Sequence, residues 1–115
     1  MAQTPNDLVS AAKSTVPDIS ARDAKALHGQ DGVVFLDVRE PGEVAGGKMA
    51  GAVAIPRGVL EFQLQALEGA ETVVVYCAAG GRAALAGATL KALGFEDVRN
   101  AGGFKDWVEA GGAVE

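Results

Sequence analysis

Cys77 is the only cysteine in the chain, and its neighbours give it a chemistry. It follows an apolar, β-branched run, Val73-Val74-Val75-Tyr76, that predicts a buried strand. Ala78-Ala79-Gly80-Gly81-Arg82 comes next, then an alanine- and leucine-rich stretch, so the pattern predicts a helix over 82–93. The sulfur therefore belongs to a glycine-rich turn between a strand end and a helix start. Unpaired N–H groups at a helix start, together with the helix dipole, favour an anion. A thiolate is such an anion and is the nucleophilic form of cysteine, so the setting points to a reactive sulfur. Two successive glycines let backbone N–H groups turn inward as an anion-binding nest, and Arg82 adds positive charge beside it. A lone cysteine is ordinarily a small buried hydrophobe, but packing alone does not call for Gly-Gly-Arg behind it.

The elements that must position this turn are legible as an alternation. Strands are predicted at 33–38, 52–55, 73–76 and near Val98, with a short edge strand at 16–19 interrupted by Pro17. Between them fall a helix opened by Ser20 and closed by Gly29, a short helix over 41–45, a helical stretch over 60–67, the 82–93 helix stopped by Gly94, and a last helix over 103–109. A leading helix is read near 6–14 with Asn6 as its cap, and Gly111 and Gly112 read as a frayed tail. Strands alternating with helices imply an α/β fold: a mostly parallel sheet with helices on both faces. The division is an N-terminal helical extension over 1–15 and one domain over 16–115.

In such sheets ligands sit at the carboxyl ends of the strands. Asp37 and Arg39 follow the 33–38 strand, Arg57 the 52–55 strand, Cys77 the 73–76 strand, and Asn100 to Gly103 the last one. Asp37 and Arg39 read as a supporting ion-pair network. Arg82 is expected to orient the loop through a carboxylate, with Asp37 or Glu40 as its partner. Glu40 and Glu43 are assigned to capping the short helix. His28, the only histidine, sits near a helix end and receives no catalytic role. Phe104 and Trp107 are assigned to the core.

Composition bounds the rest. The 115 residues suffice for one core, and 49% hydrophobic with 22% charged residues is a globular balance. A formal charge of −5 argues against non-specific nucleic-acid or acidic-membrane binding. One cysteine excludes an intrachain disulfide framework. No apolar stretch is long enough to span a membrane. The opening residues carry no basic run followed by an apolar one, so no secretory leader is expected, and a reducing cytoplasm is the expected compartment for a free reactive thiol.

Cys77-Ala78-Ala79-Gly80-Gly81-Arg82 resembles the active-site loop of single-domain rhodaneses, the thiosulfate sulfurtransferases. Leu36-Asp37-Val38-Arg39-Glu40-Pro41-Gly42-Glu43 is similar to the family's Asp-Val-Arg segment, and Gly47-Lys48-Met49-Ala50-Gly51-Ala52-Val53 to its Gly-His-Ile-Pro-Gly-Ala segment. Gly94-Phe95-Glu96-Asp97-Val98 and Gly102-Gly103-Phe104-Lys105-Asp106-Trp107 resemble its closing strand and last helix. The likeness runs in order from about residue 19 to residue 115. Lys48, Met49 and Ala50 depart from the usual His, Ile and Pro in a segment expected to shape a turn.

The resemblance implies a three-layer sandwich around a five-stranded sheet. It also implies sulfur transfer through a persulfide on Cys77, held by Ala78, Ala79, Gly80, Gly81, Arg82 and Ala83. Arg57 is then expected at the anionic end of thiosulfate. No metal or organic cofactor is needed. The partners are a small sulfur donor and a thiol or cyanide acceptor, with thioredoxin and glutathione as candidate acceptors. Two further readings stand beside this one: a sulfur carrier loaded by a partner protein, and an arsenate reductase on the same fold. Cysteine phosphatases of this scaffold carry five residues between nucleophile and arginine; the four between Cys77 and Arg82 suit one sulfur atom better than a phosphoryl group.

Overall fold

Four stretches rich in β-branched and small residues form the central sheet of the computed structural model, which describes residues 2–115. They are β1 (Val33–Asp37), β2 (Val53–Ala54), β3 (Thr72–Cys77) and β4 (Asp97–Gly103), in the spatial order β2-β1-β3-β4. Every pairing in the sheet is parallel. Around it run α1 (Pro5–Thr15), α2 (Ala21–Leu27), α3 (Pro41–Val44), α4 (Gly81–Ala92) and α5 (Phe104–Glu109). No helix among the described residues is long and apolar enough to cross a membrane.

β3 lies inside the sheet, and its alternation sorts two cores. Val73, Val75 and Cys77 face one side with Leu90, Ala83 and Ala86 of α4 and Val16. Val74 and Tyr76 face the other with Ala24 of α2, Trp107 of α5, Phe35 and Met49. Val73, Val74 and Val75 are at most 1% exposed, and full burial of such a side chain contributes about 1.5–3 kcal/mol. This two-sided burial explains the unbroken apolar run that marks a parallel strand. It also puts the Cys77 sulfur on the α4 face.

The sheet has four strands, not five. The expected first strand at 16–19 is reduced to one bridge, Asp18 with Asn100. Asn100 N donates to Pro17 O and Ile19 N donates to Asn100 O, each at 2.9 Å. Pro17 has no N–H to extend the ladder, and α1 and the Ser20 cap of α2 leave only a short link between them.

Three local expectations also change. The leading helix starts two residues earlier than a cap at Asn6 requires. Thr4 caps it, its hydroxyl accepting from Asp7 N (3.1 Å) while the Asp7 carboxylate accepts from Thr4 N (3.0 Å), with Pro5 in the first turn. The 60–67 stretch is two 3-10 segments, Arg57–Phe62 and Leu64–Leu67, broken where Gln63 leaves helical geometry at φ −131° and ψ 31°. The tail is docked rather than frayed. Ala50 N donates to Ala113 O (2.9 Å), and Lys48 and Glu115 exchange backbone bonds (2.9 and 3.0 Å). Trp107 Nε1 donates to Ala113 O (2.8 Å), and the Lys48 ammonium pairs with the Glu115 carboxylate. The 48–50 segment is thus a rail for the chain's last residues. His28, at the end of α2, donates from Nε2 to Ala50 O (2.7 Å) and packs edge-on against Phe35 and Trp107.

Candidate active site

β3 delivers Cys77 beside Gly103, where the β3–β4 register shifts. The Cys77 side chain is almost fully buried, and its sulfur accepts two backbone N–H groups, from Gly80 at 3.0 Å and from Ala83 at 3.4 Å. Two features of the sequence make these donors converge. Gly80 adopts φ +103°, the left-handed region that favours glycine, and so turns the chain from the strand end into α4. Ala83 lies in the first turn of α4, where N–H groups have no carbonyl one turn back to bond. The donors around the sulfur are thus Gly80 and Ala83, rather than the Gly80-Gly81 pair that the sequence suggests. Ala78 and Ala79 form its exposed lip, Gly81 and Arg82 are half-buried, and Gly80 and Ala83 are buried.

β4 supports the loop from beneath. A side chain at Gly103 would place its Cβ 2.4 Å from Ala78 O, so the strand end lies directly against the loop backbone. Asn100 is 2% exposed. Its Nδ2 donates to Gly80 O (3.1 Å), and its Oδ1 accepts from Gly102 N (2.8 Å).

Arg82 points to a carboxylate, but neither to Asp37 nor to Glu40. Its fork meets Glu43 on α3, Nη1 to Oε1 at 2.6 Å and Nη2 to Oε2 at 2.9 Å. Glu43 Oε1 also accepts from Glu40 N (2.9 Å), the capping role foreseen for it. The guanidinium, and after it the Glu40 N–H, hold the Glu43 carboxyl down at about 2. The same bond raises Arg82 above its ordinary value. Arg82 is thus fastened across the sheet edge, with the Cys77 loop at one end of the tie and α3 at the other.

Asp37 and Arg39 pair with each other. Arg39 Nη2 donates to Asp37 Oδ2 (2.7 Å), and Arg39 Nε and backbone N both donate to Asp37 Oδ1 (3.0 Å). Arg39 Nη2 also reaches Gly47 O (2.6 Å), and its guanidinium lies 4.5 Å from the centre of the Phe104 ring. The Asp37 bond raises Arg39, and burial, with Asp37 nearby, pushes the Tyr76 hydroxyl up. The Tyr76 hydroxyl accepts from Met49 N (3.0 Å). Arg57 is not brought to the loop. Its Nη2 donates to Thr89 Oγ1 (3.1 Å) and its Nη1 approaches Glu61 (3.4 Å). Thr89 stands eight residues along α4 from Gly81, about 12 Å at 1.5 Å per residue.

Two residues that hold the loop directly, Glu43 through Arg82 and Asn100 through Gly80 O, are not among the site residues that the sequence pattern marks. Asn100 carried one signal, a carboxamide inside a strand, where asparagine is depleted. Glu43 carried none beyond its place in a capping pattern.

The rhodanese-like domain family model matches residues 20–110. A putative sulfur carrier protein of Bacillus subtilis is 32% identical over 96 residues, 82% of this chain and 52% of that protein. The thiosulfate:glutathione sulfurtransferase of Homo sapiens is 32% identical over 108 residues, 81% of this chain and 94% of that protein. A solved structure of a protein of unknown function from Rhodopseudomonas palustris, described as a possible tyrosine phosphatase, superposes with a TM-score of 0.92. It is 33% identical and covers 100% of this chain and 96% of that one. The chain spans about half the length of the first curated relatives it matches, at 52% each. A parallel α/β sheet with a cysteine-bearing loop ahead of a helix defines a class, and the chain belongs to the rhodanese-like domain family.

Proposed function

We propose that the chain is a sulfurtransferase that carries sulfane sulfur as a persulfide on Cys77. The observation that carries this reading is the pair of backbone N–H groups, from Gly80 and Ala83, aimed at the sulfur. Donors fixed in place before reaction stabilise an anion without reorganising. In the first half-reaction the Cys77 thiolate attacks the outer sulfur of thiosulfate. A new S–S bond forms, the old one breaks, and sulfite leaves with its electron pair. In the second, a thiolate or cyanide attacks the outer sulfur of the persulfide and the Cys77 thiolate departs, so the enzyme returns unchanged. Ala78 to Ala83 hold the sulfur or persulfide. Asp37 and Arg39 support the strand end. Arg57, seated against Thr89, takes no part in this reading.

Glutathione and thioredoxin are the proposed thiol acceptors. The first is the acceptor in the human relative's name, and a chain with one cysteine has no internal thiol to discharge the persulfide. A reducing cytoplasm is the proposed compartment. A phosphatase reading is disfavoured by the four-residue spacing and by Arg82, whose fork is already occupied by Glu43. The second reading kept is that of a sulfur carrier loaded by a partner protein, favoured by the near-complete burial of the Cys77 sulfur. Steady-state thiocyanate formation from thiosulfate and cyanide separates the two. The enzyme reading requires parallel double-reciprocal lines, the mark of a ping-pong cycle. No turnover with thiosulfate, but transfer from a persulfidated protein, would replace it with the carrier reading. Reduction of arsenate with glutathione as reductant would replace both.

A further inference from the structure

We infer that Asn100 is a positioning residue for the Cys77 sulfur: its carboxamide sets the peptide geometry that aims the cradle. A buried carboxamide must be bonded or it destabilises the fold. Asn100 places its donor on Gly80 O and its acceptor on Gly102 N. Gly80 O takes a second bond, from Ala84 N at 2.9 Å, the bond that opens α4. One carbonyl is therefore held between the Asn100 side chain and the first turn of the helix. Gly80 has the widest conformational range of any residue type, so nothing intrinsic keeps it at φ +103°. The Asn100 bond supplies the missing restraint. With Gly80 held there, its N–H faces the sulfur, and α4 begins at the angle that brings Ala83 N to the same atom.

Asn100 is itself fixed from outside the loop. Its backbone N and O are both bonded, to Pro17 O and from Ile19 N, by the link between α1 and α2. A continuous series runs from that link, through Asn100 and Gly80, to the Cys77 sulfur. The residual bridge at Asp18, in the place of a fifth strand, thereby gains a purpose: it clamps the strand that clamps the loop. The inference rests on the proposed function only in taking Cys77 as the reacting group.

The test compares Asn100→Ala with Val98→Ala, a cavity in the same strand away from the loop. Each is read by thermal melting, by the rate of Cys77 alkylation with iodoacetamide at pH 7, and by persulfide formation from thiosulfate. The inference requires Asn100→Ala, at a temperature where it is folded, to alkylate about tenfold more slowly than wild type. Val98→Ala should melt lower yet alkylate at the wild-type rate. An unchanged or faster alkylation of folded Asn100→Ala overturns the inference. If the wild type forms no persulfide while Asn100→Ala still slows alkylation, the sulfur-transfer reading fails and the positioning role stands. If Asn100→Ala does not fold, the wild-type amide spectrum decides. Alkylating Cys77 must shift the Gly80 and Ala83 N–H signals and the Asn100 carboxamide signal together; a stationary Asn100 signal overturns the inference.

Discussion

Two arginine–carboxylate pairs stand at the carboxyl edge of the sheet, and they differ in almost everything but their chemistry. Asp37 and Arg39 lie two residues apart in sequence and are 0% and 6% exposed. Glu43 and Arg82 lie 39 residues apart, and each is about a third exposed, at 36% and 35%. The first pair finishes a strand: the guanidinium fills the space between Asp37, Gly47 O and the Phe104 ring. The second ties α3 to the residue that follows the cradle glycines. A buried pair is costly to break because the survivor is left charged without solvent. A half-exposed pair contributes little stability, since water replaces the lost partner. Hence the buried pair belongs to the fold and the exposed pair to the loop.

Breaking the buried pair gives the largest effect. Asp37→Ala leaves Arg39 buried and charged with no carboxylate, only Gly47 O and the Phe104 ring beside it, a loss of about 3–5 kcal/mol. Thermal denaturation should show a fall on the order of 15 °C, while the fraction still folded alkylates Cys77 at close to the wild-type rate. Breaking the exposed pair should do the reverse. Glu43→Gln and Arg82→Ala should melt only about 2–4 °C below wild type, yet form the persulfide severalfold more slowly in stopped-flow mixing with thiosulfate. The double variant should be no slower than the worse single one, because both remove the same tie. Equal losses of melting temperature and rate in Arg82→Ala would assign this pair to the fold as well.

Acid sharpens the contrast further. The Glu43 carboxyl is held at about 2 in the folded chain, below its ordinary value of 4.5. A lowered folded value means that the stabilisation is whole above the ordinary value and is lost as pH falls through the folded one. The difference in melting temperature between wild type and Glu43→Gln should therefore be constant above pH 4.5 and vanish toward pH 2. A difference that grows on acidification would contradict the pairing. The smallest effect is expected at Arg57. Arg57→Ala should leave KM for thiosulfate near wild type; a raised KM with unchanged kcat would return Arg57 to the donor's anionic end, where the sequence suggests it.

What the sequence made legible follows from local physics. The apolar run before Cys77, the Gly80-Gly81 turn and the helix after it are short-range patterns, and each was readable. So was the convergence of Asp37 and Cys77 on one edge, because a parallel sheet aligns its strand ends; Asn100, expected just past the last strand, instead lies inside β4 opposite Val75. Long-range choices were not readable. Arg82 had three acidic residues available at 37, 40 and 43, and only the placement of α3 selects Glu43. Asn100 drew notice only as a residue at a strand end, since no periodicity tells where a carboxamide will bond. Gly111 and Gly112 suggested a loose tail, but Trp107 Nε1 and the Lys48 backbone offered partners that fixed it. The fifth strand failed at Pro17, whose missing N–H was visible, though not the brevity of the link that left one bridge.

The most direct test of the central claim is the mass of the intact protein after brief incubation with thiosulfate, with Cys77→Ser alongside. The account predicts the gain of one sulfur atom on the native chain, its absence in Cys77→Ser, and its complete removal by cyanide with release of thiocyanate. A native chain of unchanged mass, or an added sulfur that persists in Cys77→Ser, would contradict it.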